Sequence, residues 1–293
     1  MSDRQTVVAG LIGRGIAASA SPAIHEGEAQ AQGLAMSYLR VDFDRLGLPD
    51  SALADTLDFL AGIGFAGVNV THPFKQQVMD LLDEVEDTAR AMGAVNCVRF
   101  ENGRKIGFNS DWIGFGWLLE SEFPGERFDR VAQIGAGGAG SATAFALLHR
   151  GVRELRLFDT DAARREALAE RLRLSFPDVR VTVCETPQTA IEGCDGIVQS
   201  TPVGMAAHPG MPFDPGLLRT GQWLADVIYF PRESELVLAA RAKGLKAVGG
   251  EAMVVGQAAD PFHRFTGLSP DRGRMMNALR HRLGAAAPEH PQT

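Results

Sequence analysis

Asn69-Val70-Thr71-His72-Pro73-Phe74-Lys75 and Asn109-Ser110-Asp111 hold the residue types from which proton-transfer chemistry is built. A lysine ammonium beside an aspartate carboxylate can bind and relay the proton of a substrate hydroxyl. Val68-Asn69-Val70 reads as the end of a buried strand, and Pro73 can open the next helix at its first turn. Lys75 would then ride on that turn against the helix dipole, where its charge stabilises nothing. A residue set against local preference points to function. Taken singly, the two residues also read as a surface lysine and as an aspartate capping a helix over Trp112–Leu119.

A second constellation is built for a dinucleotide. Val131-Ala132-Gln133-Ile134 runs into Gly135-Ala136-Gly137-Gly138-Ala139-Gly140, a G-x-G-x-x-G at a strand-to-helix turn. The first glycine permits the turn, the second lets a pyrophosphate approach the backbone, and the third packs helix on strand. The pyrophosphate then meets the helix N-terminus. A following strand, Leu155–Phe158, ends at Asp159, nineteen residues beyond Gly140, where a carboxylate takes the adenosine ribose diol. Asp159-Thr160-Asp161 would repel a 2′-phosphate, since unit like charges ~4 Å apart cost about 4 kcal/mol at an effective dielectric of ~20. Arg164 and Arg165 lie a turn further on, where they offset this charge, face solvent or pair with Glu170. The balance favours NAD over NADP.

The elements that must position these groups alternate strand and helix throughout, which predicts an α/β fold with largely parallel sheets. Strands are expected near Val7–Ile12, Ser37–Asp42, Gly67–Val70, Ala94–Phe100 and Lys105–Phe108, with helices near Pro22–Gln32, Ser51–Leu60, Lys75–Leu82 and Trp112–Leu119. A polar stretch, Glu120–Asp129, contains Pro124-Gly125 and reads as a domain junction. Beyond it come strands at Arg130–Ile134, Glu154–Phe158, Val179–Cys184, Asp195–Gln199, Trp223–Val227 and Lys246–Val248. Helices are expected at Ala139–Arg150, Ala162–Leu174, Glu251–Arg264 and Pro270–Leu283. Thr201–Gly221, rich in proline and glycine, is long enough for a functional loop.

Bulk properties narrow the class. A chain of 293 residues suggests two domains and is ample for a core. A net charge of −7 argues against nucleic-acid or anionic-membrane binding. Neither a signal peptide nor an apolar run of transmembrane length is read from the sequence. Three scattered cysteines, Cys97, Cys184 and Cys194, fit reduced thiols in the cytoplasm. The seven histidines form no HExxH-like cluster, so no metal site is expected.

Taken in order, these motifs resemble those of the shikimate/quinate dehydrogenase family over nearly the whole chain. Ser19-Ala20-Ser21-Pro22 is similar to the family's Ser-x-Ser/Thr-Pro element, whose hydroxyls hold the substrate carboxylate. Asn69–Lys75 resembles its N-V-T-x-P-x-K, Gly93-Ala94-Val95-Asn96 its G-A-V-N, and Asn109-Ser110-Asp111 its N-T-D with serine for threonine. Tyr229-Phe230-Pro231 resembles its Y-x-P, and Gly249-Gly250-Glu251-Ala252-Met253 with Gln257 its late substrate-binding helix. Asp159-Thr160-Asp161, His25-Glu26 and Ala207-His208-Pro209-Gly210 are more similar to the NAD-using quinate/shikimate branch than to the NADP-using one, which carries Asn or Ser and then basic residues at the Asp159 position. Gln199-Ser200-Thr201-Pro202 departs from the Asn-Ala-Thr of many relatives and leaves open what holds Thr201.

The resemblance implies a substrate-binding α/β domain of residues 1–114, completed by 250–284. An NAD-binding Rossmann domain of residues 115–249 and a flexible tail of 285–293 are also implied. It implies Lys75 and Asp111 as the catalytic pair. Ser19, Ser21, Asn69, Thr71, Asn96, Tyr229 and Gln257 would bind a cyclic hydroxy acid. Asp159, Arg164, Thr201, Val203, Met205, Val227 and Gly250 would join the glycine turn in binding NAD. A monomer or homodimer is expected.

These needs suit the residue types: hydroxyls anchor a carboxylate without a buried counter-charge, and amides and carboxylates fix ring hydroxyls. The residues also have plainer readings. Ser19–Pro22 can be a helix cap, Asn69 and Asn96 strand-end residues, Gln257 a helix-face residue and Tyr229 a core aromatic. Three functions fit: oxidation of quinate or shikimate, the same chemistry on an amino-substituted ring, or a non-catalytic NAD-binding regulator. Retention of both Lys75 and Asp111 argues against the last.

Overall fold

The computed structural model describes residues 6–284. The chain divides after Ser110 and again after Gln257: residues up to 110 and from 258 onward form one compact unit, and residues 111–257 the other. The divisions expected above lie at 114 and 250, and the expected tail, 285–293, lies outside the described residues.

The first unit begins with β1 (Thr6–Gly13), α1 (Ser21–Ala31), β2 (Ala35–Asp42), α2 (Phe43–Leu46), α3 (Leu53–Gly62) and β3 (Gly67–Val70). It continues with β4 (Glu84–Val85), α4 (Asp87–Met92), β5 (Cys97–Glu101) and β6 (Arg104–Phe108). The six strands lie in the order β2-β1-β3-β5-β6-β4. β1 is almost continuously apolar, as suits a strand covered on both faces, and pairs in parallel with β2 and β3.

The largely parallel arrangement expected above has one exception, β5, which runs antiparallel to both β3 and β6. The cause is local. Asn102 and Gly103 both take positive φ, 53° and 75°, and make the two-residue hairpin that such a pair favours. One face of the sheet is covered by Phe43, Leu53, Leu57 and Phe74, and the other packs Tyr38, Phe108 and Phe265.

The helix expected over Lys75–Leu82 needs correction. Residues 72–76 form turns, and only Gln77–Leu81 is helical, as a 3-10 segment. The Lys75 carbonyl accepts the Val95 N–H at 2.8 Å, so it is spent across the chain rather than on the next helical turn. Lys75 therefore does not sit on a helix.

The second unit contains α5 (Asp111–Glu122), β7 (Arg130–Ile134), α6 (Gly138–His149), β8 (Glu154–Phe158), α7 (Ala162–Ser175) and β9 (Arg180–Val183). It goes on through α8 (Pro187–Ile191), β10 (Gly196–Gln199), β11 (Trp223–Asp226), α9 (Glu235–Ala242) and β12 (Lys246–Val248), into α10 (Glu251–Thr266). All its strand pairs are parallel, in the order β12-β11-β10-β7-β8-β9. The order reverses between β7 and β10, and in such a sheet ligands bind beyond the carboxyl ends of the strands at that switch. α11 (Arg272–Gly284) belongs to the first unit, where Arg274 donates to the fully buried Glu28 of α1 at 2.7 Å. The three cysteines are buried and free.

Candidate active site

In the first unit a row of neutral polar groups runs across the carboxyl ends of β1 and β3. The Ser19 hydroxyl donates to Ser21 Oγ at 3.1 Å and accepts from the Ser21 N–H at 3.3 Å. The N-cap of α1 is Ala20, without a side-chain cap bond, so neither serine fills the capping position itself. Ser21 lies near the Tyr38 phenol, which donates to Asn69 Oδ1 at 2.7 Å. Asn69 Nδ2 reaches the Asn96 carbonyl at 3.4 Å, and Asn96 Nδ2 donates to Ser110 Oγ at 3.1 Å. The Ser110 N–H returns a bond to Asn96 Oδ1 at 2.8 Å. Thr71 lies beside this row, its methyl 2.4 Å from where a Cβ on Gly13 would stand.

Five of the expected substrate residues thus share one neighbourhood, and Tyr38 and Ser110 complete it unforeseen. Burial pushes the Tyr38 phenol well above its usual range, which keeps it a neutral donor. Its ring stacks on His25 at 4.4 Å, and burial pulls that imidazole down to about 3.

Lys75 is half-buried, and its carbonyl is tied to Val95, next to Asn96. Asp111 directly follows Ser110, opens α5 and is buried.

In the second unit the glycine turn stands at the β7/β10 switch. Gly135 takes φ 108°, and a Cβ there would lie 2.8 Å from Ser200 Oγ. On Gly140 a Cβ would lie 2.4 Å from the Gly135 carbonyl, so the turn closes only on glycine. Gln133, wholly buried, locks it from beneath: Nε2 donates to the carbonyls of Gly135 and Gly140 at 2.9 and 2.8 Å, and Oε1 accepts from Thr143 at 2.9 Å. The side chain is a polar interruption of an apolar strand, and that was the signal available in the sequence.

Gly137 and Gly138 face open space, and α6 starts without a side-chain cap. Free N–H groups beside open room are what a pyrophosphate requires, so these residues fit a dinucleotide. Ala136 and Ala139 flank the same opening.

Asp159 follows β8 as expected, yet its carboxylate is already engaged. Oδ2 accepts from the Ala136 N–H at 2.7 Å and Oδ1 from the Asp161 N–H at 2.8 Å. Asp161 caps α7 through the Arg164 N–H. Arg164 is exposed, whereas Arg165 is buried and donates to Glu185 and to the Asp159 carbonyl; its partner is Glu185, not Glu170.

The question left open at Gln199 is answered by its own side chain. Nε2 donates to the carbonyls of Thr201 and Val203 at 3.0 and 2.9 Å, and Oε1 accepts from the Thr201 N–H at 2.7 Å. The turn through Gly204 and the exposed Met205 is closed by the Gly204 N–H on the His208 carbonyl.

Val227 and Gly250 pack backbone to backbone, and a Cβ on Gly250 would lie 2.2 Å from the Val227 carbonyl. Tyr229 is half-buried close by, and burial raises its phenol. Gln257 meets α5 one turn beyond Asp111: a Cβ on Gly114 would lie 2.6 Å from the Gln257 nitrogen. Among the described residues no group of three or more His, Cys, Asp or Glu could hold a metal ion, and no helix is long and apolar enough to cross a membrane.

Comparison with known proteins bears on the whole chain. Residues 11–98 match the shikimate dehydrogenase substrate binding domain, and residues 126–213, from before β7 to beyond β10, match the ornithine cyclodeaminase/mu-crystallin family. A shikimate dehydrogenase (NADP(+)) of Arthrobacter sp. is 49% identical, over 94% of this chain and 95% of its own. A quinate/shikimate dehydrogenase (NAD(+)) of Corynebacterium glutamicum is 42% identical, over 92% of this chain and 96% of its own. The solved quinate dehydrogenase from Corynebacterium glutamicum in complex with NAD superposes with a TM-score of 0.89 at 42% identity, covering 94% of this chain and 99% of that one. With identity of this order sustained along both units, the chain belongs to the shikimate/quinate dehydrogenase family.

Proposed function

We propose that the protein is an NAD-dependent dehydrogenase that oxidises a ring hydroxyl of quinate or shikimate, reversibly, to the 3-dehydro ketone. The observation that carries this reading is the row of neutral polar side chains Ser19–Ser21–Tyr38–Asn69–Asn96–Ser110, which ends at the residue before Asp111. Neutral hydroxyls and amides in sequence match a ligand with a carboxylate at one end and ring hydroxyls along its edge. Ser19 and Ser21 anchor the carboxylate, and Asn69, Thr71, Asn96, Tyr229 and Gln257 orient the ring.

Lys75 and Asp111 hold the proton of the reacting hydroxyl and pass it on as a coupled pair. The dinucleotide, when bound, supplies the hydride acceptor at its nicotinamide ring. Its pyrophosphate is held by the α6 N-terminus and the turn from Gly135 to Ala139, and its adenosine ribose by Asp159 with Arg164 beside it. Thr201, Val203, Met205, Val227 and Gly250 shape the nicotinamide side. NAD is preferred because Asp159 and Asp161 together disfavour a 2′-phosphate.

The test is the appearance of reduced nicotinamide when the purified protein meets quinate, shikimate and an amino-substituted analogue, with NAD and with NADP. Turnover of quinate or shikimate with NAD is expected. Turnover of the amino-substituted acid alone would change the ring assignment. Nucleotide binding without turnover of any acid would make the chain a regulator.

A further inference from the structure

Asp226 is wholly buried at the end of β11, and the proposed reaction makes no use of it. Its Oδ1 accepts from the Ile228 N–H at 3.0 Å and its Oδ2 from the Ser234 hydroxyl at 2.6 Å. Ser234 Oγ in turn accepts from the Val237 N–H at 3.2 Å and caps α9. One carboxylate thereby ties together the two ends of the loop 227–233, which carries Tyr229.

The loop has little slack. A Cβ on Gly204 would lie 3.0 Å from Ile228 Cδ1 and 3.5 Å from Ser234 Cβ, and one on Gly249 would lie 2.9 Å from the Arg232 carbonyl. The Val227 N–H is held by the Gln199 carbonyl, and the Ile228 carbonyl by the Gly250 N–H. Burial pushes the Asp226 carboxyl up to about 6, only partly offset by the Ser234 and Ile228 hydrogen bonds. A carboxylate held there at a cost to folding points to a role in placing what surrounds it.

We infer that Asp226 and Ser234 form a latch that positions Tyr229 for contact with the substrate, an inference that rests on the dehydrogenase reading of the site. Asp226 and Ser234 act through Tyr229 and touch no reacting atom. A Tyr229 contact made in ground and transition states alike would lower KM and leave kcat nearly unchanged.

Ser234→Ala, Ser234→Thr and Asp226→Asn are compared with the wild-type full chain by two measurements. Amide hydrogen exchange over residues 227–234 reads the latch without turnover. Exchange should quicken at least about tenfold in Ser234→Ala and stay near wild type in Ser234→Thr, which keeps the hydroxyl. In Ser234→Ala, KM for the acid should rise about tenfold, with kcat within about threefold. Combined with Tyr229→Phe, Ser234→Ala should add little, because coupled residues are not additive. Should Ser234→Ala fail to fold, Asp226→Asn serves, since its amide keeps an acceptor for Ile228 and removes the one for Ser234.

Unchanged exchange in these variants overturns the latch. Faster exchange with unchanged KM, or full additivity with Tyr229→Phe, overturns the role assigned to Tyr229. A wild-type protein inactive on every acid sinks the dehydrogenase reading and the Tyr229 role with it, while the exchange comparison still decides the latch.

Discussion

Asp159→Asn is expected to shrink the preference for NAD and to weaken both cofactors at once. The wild-type carboxylate takes the Ala136 N–H at 2.7 Å and the Asp161 N–H at 2.8 Å, leaving about two of its roughly four acceptor sites for a ribose diol. Asparagine has one acceptor oxygen, so one of those N–H groups would face an amide donor. Losing a hydrogen bond to a charged group costs about 1.5–3 kcal/mol, and both cofactors feel it because both rest on the glycine turn.

The discriminating part is charge. A unit pair ~4 Å apart repels by ~1 kcal/mol in bulk water and ~4 kcal/mol at an effective dielectric of ~20. Asp159 is only 8% exposed, so solvent screens it incompletely. A floor of about 1.4 kcal/mol is tenfold in affinity. Wild-type kcat/KM with NAD should therefore exceed that with NADP by more than about tenfold, and the variant should bring the ratio toward one. Initial rates with each cofactor at saturating acid measure both quantities. Equal efficiency in the wild type would refute the reasoning and assign the 2′-phosphate to Arg164, whose side chain is 55% exposed. Arg165 is not available for it, being spent on Glu185 and the Asp159 carbonyl.

Lys75→Ala or Asp111→Ala should lower kcat at least ~10²-fold with nucleotide binding nearly unchanged, and wild-type-like turnover in either would end their assignment as the proton pair. Ser19→Ala with Ser21→Ala should chiefly raise KM, by roughly 1.5–3 kcal/mol for each lost bond to the carboxylate; an unaltered KM would put the carboxylate elsewhere. His25 stays neutral in the fold down to about 3, while the unfolded chain takes up a proton near pH ~6.5. Its contribution is therefore complete above pH ~6.5 and is lost toward pH ~3, at up to about 1.4 kcal/mol per pH unit, so His25→Phe should flatten the acid limb of unfolding midpoints against pH. Asp226 works in the opposite sense: its raised pKa makes stability fall as pH rises from about 4 to about 6, and Asp226→Asn should steepen the rise over that window.

What can be read from the sequence is local. Strand, glycine turn, helix, strand and acid follow one another from Arg130 to Asp159, and their order alone predicts the nucleotide-type unit. What escapes depends on pairing across the chain. Tyr38 meets Asn69 only because β1 lies between β2 and β3, and Ser110 meets Asn96 through the β5–β6 register. The helix expected at Lys75 fails for the same reason, since the N–H that captures the Lys75 carbonyl lies twenty residues away at Val95. α9 goes unnoticed because its opening, Arg232-Glu233-Ser234, reads as polar loop until Asp226 is found beside Ser234.

The side chains that escape in the second unit share a pattern. Gln133, Gln199 and Asp226 each stand last or next to last in β7, β10 and β11, three neighbouring strands, and each is wholly buried. Each turns its hydrogen bonds on the loop that follows its own strand: Gln133 on Gly135 and Gly140, Gln199 on Thr201 and Val203, Asp226 on Ile228 and Ser234. Asp159, just after β8, bonds Asp161 in its own loop and Ala136 in the loop that follows β7. Burying a polar group is costly unless its bonds are made, and here they are made with backbone or capping groups that would otherwise be free to shift. The loops around a switch-point crevice must be irregular to accept a ligand, yet fixed to bind it well. A glutamine or aspartate closing an otherwise apolar strand meets both demands, because its side chain reaches forward onto the loop while its backbone stays in the sheet.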